Sequence, residues 1–244
     1  IILVLILTLV LIGPFFTLQD PYDLSQINIL DSLLPPFSKS FENSYFFLGT
    51  DDQGRDLLSA IIYGLRISLY VGILSVIISL ILGVVLGVIS AYFGGLIDGF
   101  IMRVADMVLA MPSFLIALVL LSILGRGLEN VVFALVMSQW ATFARVIRSS
   151  ALSEKEKDYF HSARCLCLPQ SRIVFGHLLP NCLPPIIVLS TINLAFAVTL
   201  EASLSFLGVG LPITEPSIGL IISNGYEYII VGKYWMSLYP GLFL

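Results

Sequence analysis

Ile67–Phe93 reads ISLYVGILSVIISLILGVVLGVISAYF, a run without a single charged side chain. A helix needs about 20 apolar residues to cross the ~30 Å hydrocarbon core of a bilayer. This run is long enough, and others resemble it on either side: Met107–Gly125, Asn130–Ala144 and Leu178–Leu200, with Ile1–Phe16 and Trp235–Leu244 as shorter candidates. Of 244 residues, 58% are hydrophobic and 11% charged, which excludes an ordinary soluble domain. The expectation is an all-α, polytopic membrane protein of about six spans. Ile1 has no initiator Met or basic flank before it and the last run stops early, so the first and last spans read as truncated. A cleaved signal peptide is the alternative for Ile1–Phe16, but no basic n-region or A-x-A site is visible.

The remaining spans are expected over Ile67–Tyr92, Phe100–Leu124, Leu128–Ile147 and Pro184–Leu207. Gly94-Gly95 and Gly125-Arg126-Gly127 supply the turns between them, and Gly208–Lys233 is a Pro- and Gly-punctuated connection to the last. Pro112 is expected to bend the third span. Gly83, Gly87 and Ala91 stand four apart, a row that lets a second helix approach closely, whether from this chain or from another subunit.

Charge orients these spans. The net charge of −4 says little, but six of the twelve Lys and Arg residues (Arg145, Arg148, Lys155, Lys157, Arg164, Arg172) crowd around one loop, which marks it as cytoplasmic. Seven acids (Asp20, Asp23, Asp31, Glu42, Asp51, Asp52, Asp56) against Lys39 and Arg55 place Thr17–Asp56 outside. Nothing points to nucleic acid. The three cysteines (Cys165, Cys167, Cys182) all fall in the basic loop, where a reducing cytoplasm keeps them as thiols. Cys165-x-Cys167 lacks the second pair that a zinc site needs.

The basic loop, SEKEKDYFHSARCLCLPQSRIVFGHLLPN over Ser153–Asn181, is ordered like a structured element. Ser153-Glu154-Lys155-Glu156 matches a capping box and predicts a helix start there. Tyr159, Ala163 and Leu166 line up an apolar stripe, Cys167-Leu168-Pro169 ends the helix, and Gln170–Leu178 can form a second one before Pro180. Such a pair either docks on a soluble partner or lies on lipid headgroups.

This loop resembles the EAA motif of ABC-importer permeases, E-A-A-x3-G-x9-I-x-L-P, with the spacing kept when aligned on Leu179-Pro180. His161 stands at the consensus Glu, Ser162 and Ala163 at the alanines, Cys167 at the glycine and His177 at the Ile. The peptide and nickel subgroup is closer, matching Glu156, Asp158, Tyr159, Ala163, Arg164, Leu166, Arg172, Ile173, His177, Leu179, Pro180 and Asn181. Leu48–Asp56 (LGTDDQGRD) and Glu201–Gly210 (EASLSFLGVG) resemble two further motifs of the subgroup's C-type subunits. The resemblance implies a type I ABC importer transmembrane fold in the bacterial inner membrane, moving peptides or nickel complexes by alternating access. It divides the chain into a first span (1–16), an extracytoplasmic segment (17–65) and the transmembrane domain (66–244), with its coupling loop at 148–183. It implies a second permease subunit, two ATPase subunits carrying ATP and Mg, and an extracytoplasmic solute-binding protein, with no cofactor or metal on this chain. The residues it assigns to ATPase coupling are Glu156, Asp158, Tyr159, Ala163, Arg164, Leu166 and Cys167. A glycine at 167 would permit positive φ, which costs a cysteine about 1 kcal/mol.

Two of three further sites are left with two readings. Glu201, a carboxylate late in the fifth span, either lines the substrate pathway or is paired to fix packing. Asp51, Arg55 and Asp56 either dock the binding protein or satisfy one another in a turn shaped by Gly49 and Gly54. Asp98, Arg103 and Asp106 read as inner-surface anchors, with Arg103 and Asp106 spaced to pair. No phosphate-binding G-x4-G-K-[ST] motif occurs, so ATP chemistry is expected on other chains. A membrane-embedded hydrolase would need a base beside Ser203 or Ser205, but both histidines lie in the basic loop and G-x-S-x-G is absent. A self-contained secondary transporter would need more spans or an inverted repeat.

Overall fold

Leucine, isoleucine and valine carry Leu57–Phe93 as one continuous helix, α1, of 37 residues. At 1.5 Å per residue it is about 55 Å long, well beyond the ~30 Å core of a bilayer. It starts at Leu57 rather than Ile67, because Leu57, Ala60, Ile61 and Leu65 already present a buried face ahead of the uncharged run. Arg66 interrupts that run only as an exposed side chain. The structure, a computed structural model, describes residues 10, 12, 13, 17, 19–23, 25, 27–40, 45–212, 215 and 217–244. The expected first span therefore lies outside the described residues except for Val10, Ile12 and Gly13, as does Glu42.

Helices α2 (Gly95–Leu109) and α3 (Ser113–Leu124) follow a turn in which Gly94 and Gly95 both take positive φ. The single span expected over Phe100–Leu124 is instead broken by 89° between them. Pro112 explains the break: it has no N–H to donate and disfavours helical φ/ψ at Met111. The chain turns there, with Met111 N donating to the Val108 carbonyl at 3.2 Å and a fresh helix beginning at Ser113. Next come α4 (Leu128–Lys155), α5 (Asp158–Cys165), a π-helix (Arg172–Leu178), a helical turn (Leu179–Asn181) and α6 (Leu183–Phe206). Then α7 (Ile218–Tyr226) occupies part of what the sequence reads as plain connection, and α8 (Trp235–Phe243) closes the order. Among the described residues the strands are a two-residue antiparallel pair, β1 (Ser38–Lys39) and β2 (Tyr45–Phe46). Among the described residues α1, α4 and α6 are long and apolar enough to span a membrane, and the bent α2–α3 pair makes a fourth if counted as one.

The chain divides into two units, one of Ile1–Gly72, Leu121–Val131 and Val198–Leu244, the other of Ile73–Leu120 and Val132–Ala197. In the first, Leu57, Ile61, Leu65 and Leu69 of α1 pack with Ile218 and Ile221 of α7 and with Trp235 and Met236 of α8. In the second, the small-residue row of α1 meets α4 of the same chain. A Cβ on Gly83 would stand 2.3 Å from that of Phe143, and one on Gly87 would stand 2.8 Å from that of Ile147. The register advances in the same sense on both helices, so they run parallel, as the expected topology requires. Ala91, the third member of the row, is buried with Ile147 and Ala151.

Candidate functional site

The loop after α4 is assembled from a helix that runs further than its sequence announces. Ser153 does not cap a new helix; it lies in the last turn of α4, where its carbonyl accepts from Glu156 N at 3.3 Å. The new helix, α5, begins at Asp158 behind an extended Lys157 (φ −79°, ψ 150°). Continuation wins over restart because Ala151 is buried among apolar side chains and keeps α4 intact past the charged residues. Asp158 in its first turn and Arg164 in its last complement the dipole of α5.

The buried stripe of α5 also differs from the expected Tyr159, Ala163 and Leu166. Phe160 and Ala163 are buried against Ile147 and Ala151 of α4 and Ala91 of α1, together with Ile173, Leu178, Cys182 and Ile186. Leu166 is 73% exposed. Glu156, Asp158, His161, Arg164, Cys165 and Cys167 share the exposed side, while Tyr159 is half-buried. The expected coupling residues are thus split: Ala163 (6% exposed) serves packing within the chain, and most of the others face outward.

At the end of α5, Cys167 N donates to the Arg164 carbonyl at 3.0 Å and Leu168 N to the Ala163 carbonyl at 3.3 Å. These two bonds make a Schellman cap, whose turning residue must be left-handed. Cys167 takes φ +53° to supply it, so the turn is kept and the cysteine bears the strain expected of it. The second loop helix is helical but wide, a π-helix that flows through Pro180 into α6 rather than stopping before it. Pro180 cannot donate to the carbonyl four residues back, and the wider winding removes the need for that bond. Its outer side leaves an apolar groove of about 300 Å³ lined by Val84, Val88, Tyr92, Val174 and Phe175.

Two residues that sequence reasoning did not single out tie the loop down. Glu154 accepts from Lys157 Nζ and from the Tyr159 hydroxyl, both at 2.7 Å. Lys155 Nζ donates to the Ala91 carbonyl at 2.7 Å and sits 6.0 Å above the Tyr92 ring. Burial, then the bond to Glu154 and its charge, push the Tyr159 phenol up to about 12. Burial likewise raises the Cys182 thiol. Asp98 and Asp106 bond across to α4, Asp98 with Arg148 at 2.5 Å and Asp106 with Arg145, so the expected Arg103–Asp106 pair is replaced.

Elsewhere the polar motifs close on themselves. Asp51 accepts from the backbone N–H of Gln53 and Arg55 and pairs with Arg55 Nε at 2.6 Å, while Asp56 caps α1 by accepting from Ser59 N and Oγ. All three are buried, so the turn reading, not an exposed docking patch, fits Asp51, Arg55 and Asp56. Burial raises the Asp56 carboxyl against the lowering bonds from Ser59. Glu201 is 0% exposed and accepts from Ser68 Oγ of α1 and Ser205 Oγ of α6, each at 2.7 Å, with Ser217 at the head of α7 as a further donor. Gly219 lets α7 approach within this cluster, since a Cβ there would stand 2.1 Å from the Ala202 carbonyl oxygen. The carboxylate thereby joins three elements, which fits packing better than a pathway lining. Among the described residues no three His, Cys, Asp or Glu side chains group to hold a metal.

Residues 83–243, which include the whole basic loop, match the binding-protein-dependent transport system inner membrane component family. Over 240 residues the chain is 36% identical to the dipeptide transport system permease protein DppC of Haemophilus influenzae, covering 98% of this chain and 81% of that one. It is 34% identical over 244 residues to the oligopeptide transport system permease protein OppC of Bacillus subtilis, covering 100% and 77%. With the di/tripeptide transport system permease protein DppC of Pseudomonas aeruginosa the identity is 36% over 241 residues, covering 98% and 79%. With apolar helices of spanning length and a match over more than half its length, the chain belongs to the binding-protein-dependent transport system inner membrane component family, as a multi-pass bacterial permease.

Proposed function

We propose that this chain is one of two permease subunits of an ATP-driven importer that carries peptides across the bacterial inner membrane. The names of the relatives above, for dipeptides, oligopeptides and di/tripeptides, support peptides over nickel complexes. ATP and Mg are held by separate ATPase subunits, and a solute-binding protein delivers the peptide from outside.

One observation carries the reading: α5 has two faces of different use. Phe160 and Ala163 fasten it to α4 and α1, Asp158 and Arg164 stand on its exposed side, and the exposed Glu156 and Leu166 flank it in the chain. A large exposed apolar side chain at the C-cap of a short, anchored, charge-bearing helix suits a groove on a soluble partner. ATP-driven closure of the ATPase pair would push on α5, and its inner face would pass the push to the spans. Asp51, Arg55 and Asp56 are assigned to shaping the external turn.

Leu166→Glu tests this directly. The variant is expected to reach the membrane in normal amount yet lose recovery of an ATPase subunit on purification and ATP-driven dipeptide uptake in proteoliposomes. Normal recovery and uptake would reject the docking role.

A further inference from the structure

We propose that Glu154 is a positioning residue for transport, its carboxylate clasping α5 to the last turn of α4 so that movement of α5 reaches the span. The inference rests on the coupling role of α5 proposed above.

Only Glu156 and Lys157 separate the two helices, and Lys157 is extended. The backbone bonds across this joint are long, Glu156 N to Ser153 O and Lys157 N to Glu154 O at 3.3 Å each. A joint of this kind would flex if nothing else spanned it. The apolar seat beneath Phe160 and Ala163 resists separation but, being non-directional, does not set the angle of α5 on α4. Glu154 does. Its side chain is 12% exposed, and its two oxygens take different partners: Oε1 takes Lys157 Nζ of the joint, and Oε2 takes the Tyr159 hydroxyl inside α5. The Lys157 side chain is 55% exposed, so water screens that ion pair and weakens it. The better-protected Tyr159 bond, charge-assisted and short, carries most of the hold. With the phenol pushed up to about 12, Tyr159 remains an O–H donor at any physiological pH.

The adjacent residue completes the junction. Lys155 bonds to the Ala91 carbonyl of α1, so one turn of α4 grips the loop helix through Glu154 and a neighbouring span through Lys155. Glu154 itself does not cap α5, whose N-cap has no side-chain bond. It is therefore dispensable for forming α5 and is placed to orient it.

The test uses the purified complex of permease, ATPase and binding proteins in proteoliposomes, measuring radiolabelled dipeptide imported per ATP hydrolysed. Glu154→Ala is expected to lower that ratio about tenfold, the effect of losing one charge-assisted hydrogen bond. ATPase recovery should stay at its wild-type value, and the unfolding temperature should fall by no more than the loss of these bonds implies. Glu154→Gln, which can still accept from Tyr159, should restore most of the ratio. Should Glu154→Ala fold poorly, Tyr159→Phe removes the same bond, together with the phenol's bond to Asn181, and should also lower the ratio. An unchanged ratio in Glu154→Ala or Tyr159→Phe overturns the clasp. So does a fall that Gln does not relieve and that tracks a lower unfolding temperature. If the wild-type permease recovers no ATPase at all, the importer reading fails instead.

Discussion

Glu154 and Glu201 are both carboxylates taken out of water, yet they sit in regions organised in opposite ways. Glu201 is held by serines of α1, α6 and the start of α7, with no part of it exposed. Glu154 holds the N-cap lysine and a tyrosine of a short helix whose C-cap, Leu166, is 73% exposed. One region satisfies its polar groups internally and leaves nothing to offer a partner. The other uses its buried groups to fasten a helix and keeps a large apolar residue exposed at that helix's end. Polar residues in a membrane chain therefore do not all announce contact sites; what matters is whether their bonds close inward or hold something outward.

The contrast breaks if substitutions in the two regions behave alike. The largest effect on folding is expected from Ala163→Glu, which forces a charge into the apolar seat of α5 and should cost about 4 kcal/mol, read by thermal unfolding in detergent. Wild-type stability there would mean the inner face of α5 is not closed. Next is Glu201→Ala, which strips the serine hydroxyls of their acceptor and should cost about 3 kcal/mol. If this variant keeps its unfolding temperature but loses dipeptide uptake, the cluster belongs to the pathway and the comparison is wrong. Gly219→Ala should cost about 2 kcal/mol by pushing α7 off Ala202, with Gly219→Ser no better. Cys167→Gly should gain about 1 kcal/mol by relieving the left-handed strain. Gly208 closes α6 with the same pair of bonds and φ +75°, so Gly208→Ala should lose a similar amount. The smallest change in stability, within about 0.5 kcal/mol, is expected for Leu166→Glu despite its loss of ATPase recovery. A large destabilisation there would show that the outer face of α5 is packed against the chain after all.

Much of the fold is readable from the residues because hydrocarbon content is a bulk property that survives any local error. The span at Leu128–Ile147 lies inside α4, that at Pro184–Leu207 overruns α6 by one residue, and the glycine turns stand where they are expected. Errors cluster where a local signal competes with packing. The capping box at Ser153 is outvoted by the apolar contacts that carry α4 through to Lys155, and the charged Arg66 cuts the buried first turns of α1 off from the uncharged run. Spacing places Leu166 on the same stripe as Tyr159, but α5 ends at Cys165 and the chain turns at Leu166, so the side chain leaves the face that periodicity assigned to it. Phe160 is buried in its stead.

The sequence by itself determines that this is a helical membrane protein with a structured basic loop, because length, hydropathy and clustered charge act on the chain without reference to neighbours. It also determines that the first loop helix ends near Cys167-Leu168-Pro169, whereas the left-handed turn at Cys167 is seen only in the structure. Only the tertiary structure decides what each polar residue does. Whether Glu201 faces a pathway or three serines, whether Asp51 meets a partner or Arg55, and that Glu154 reaches Tyr159 all depend on distances between elements remote in the chain or on either side of a turn. Hydrogen bonds are short-ranged and directional, so no periodicity encodes them.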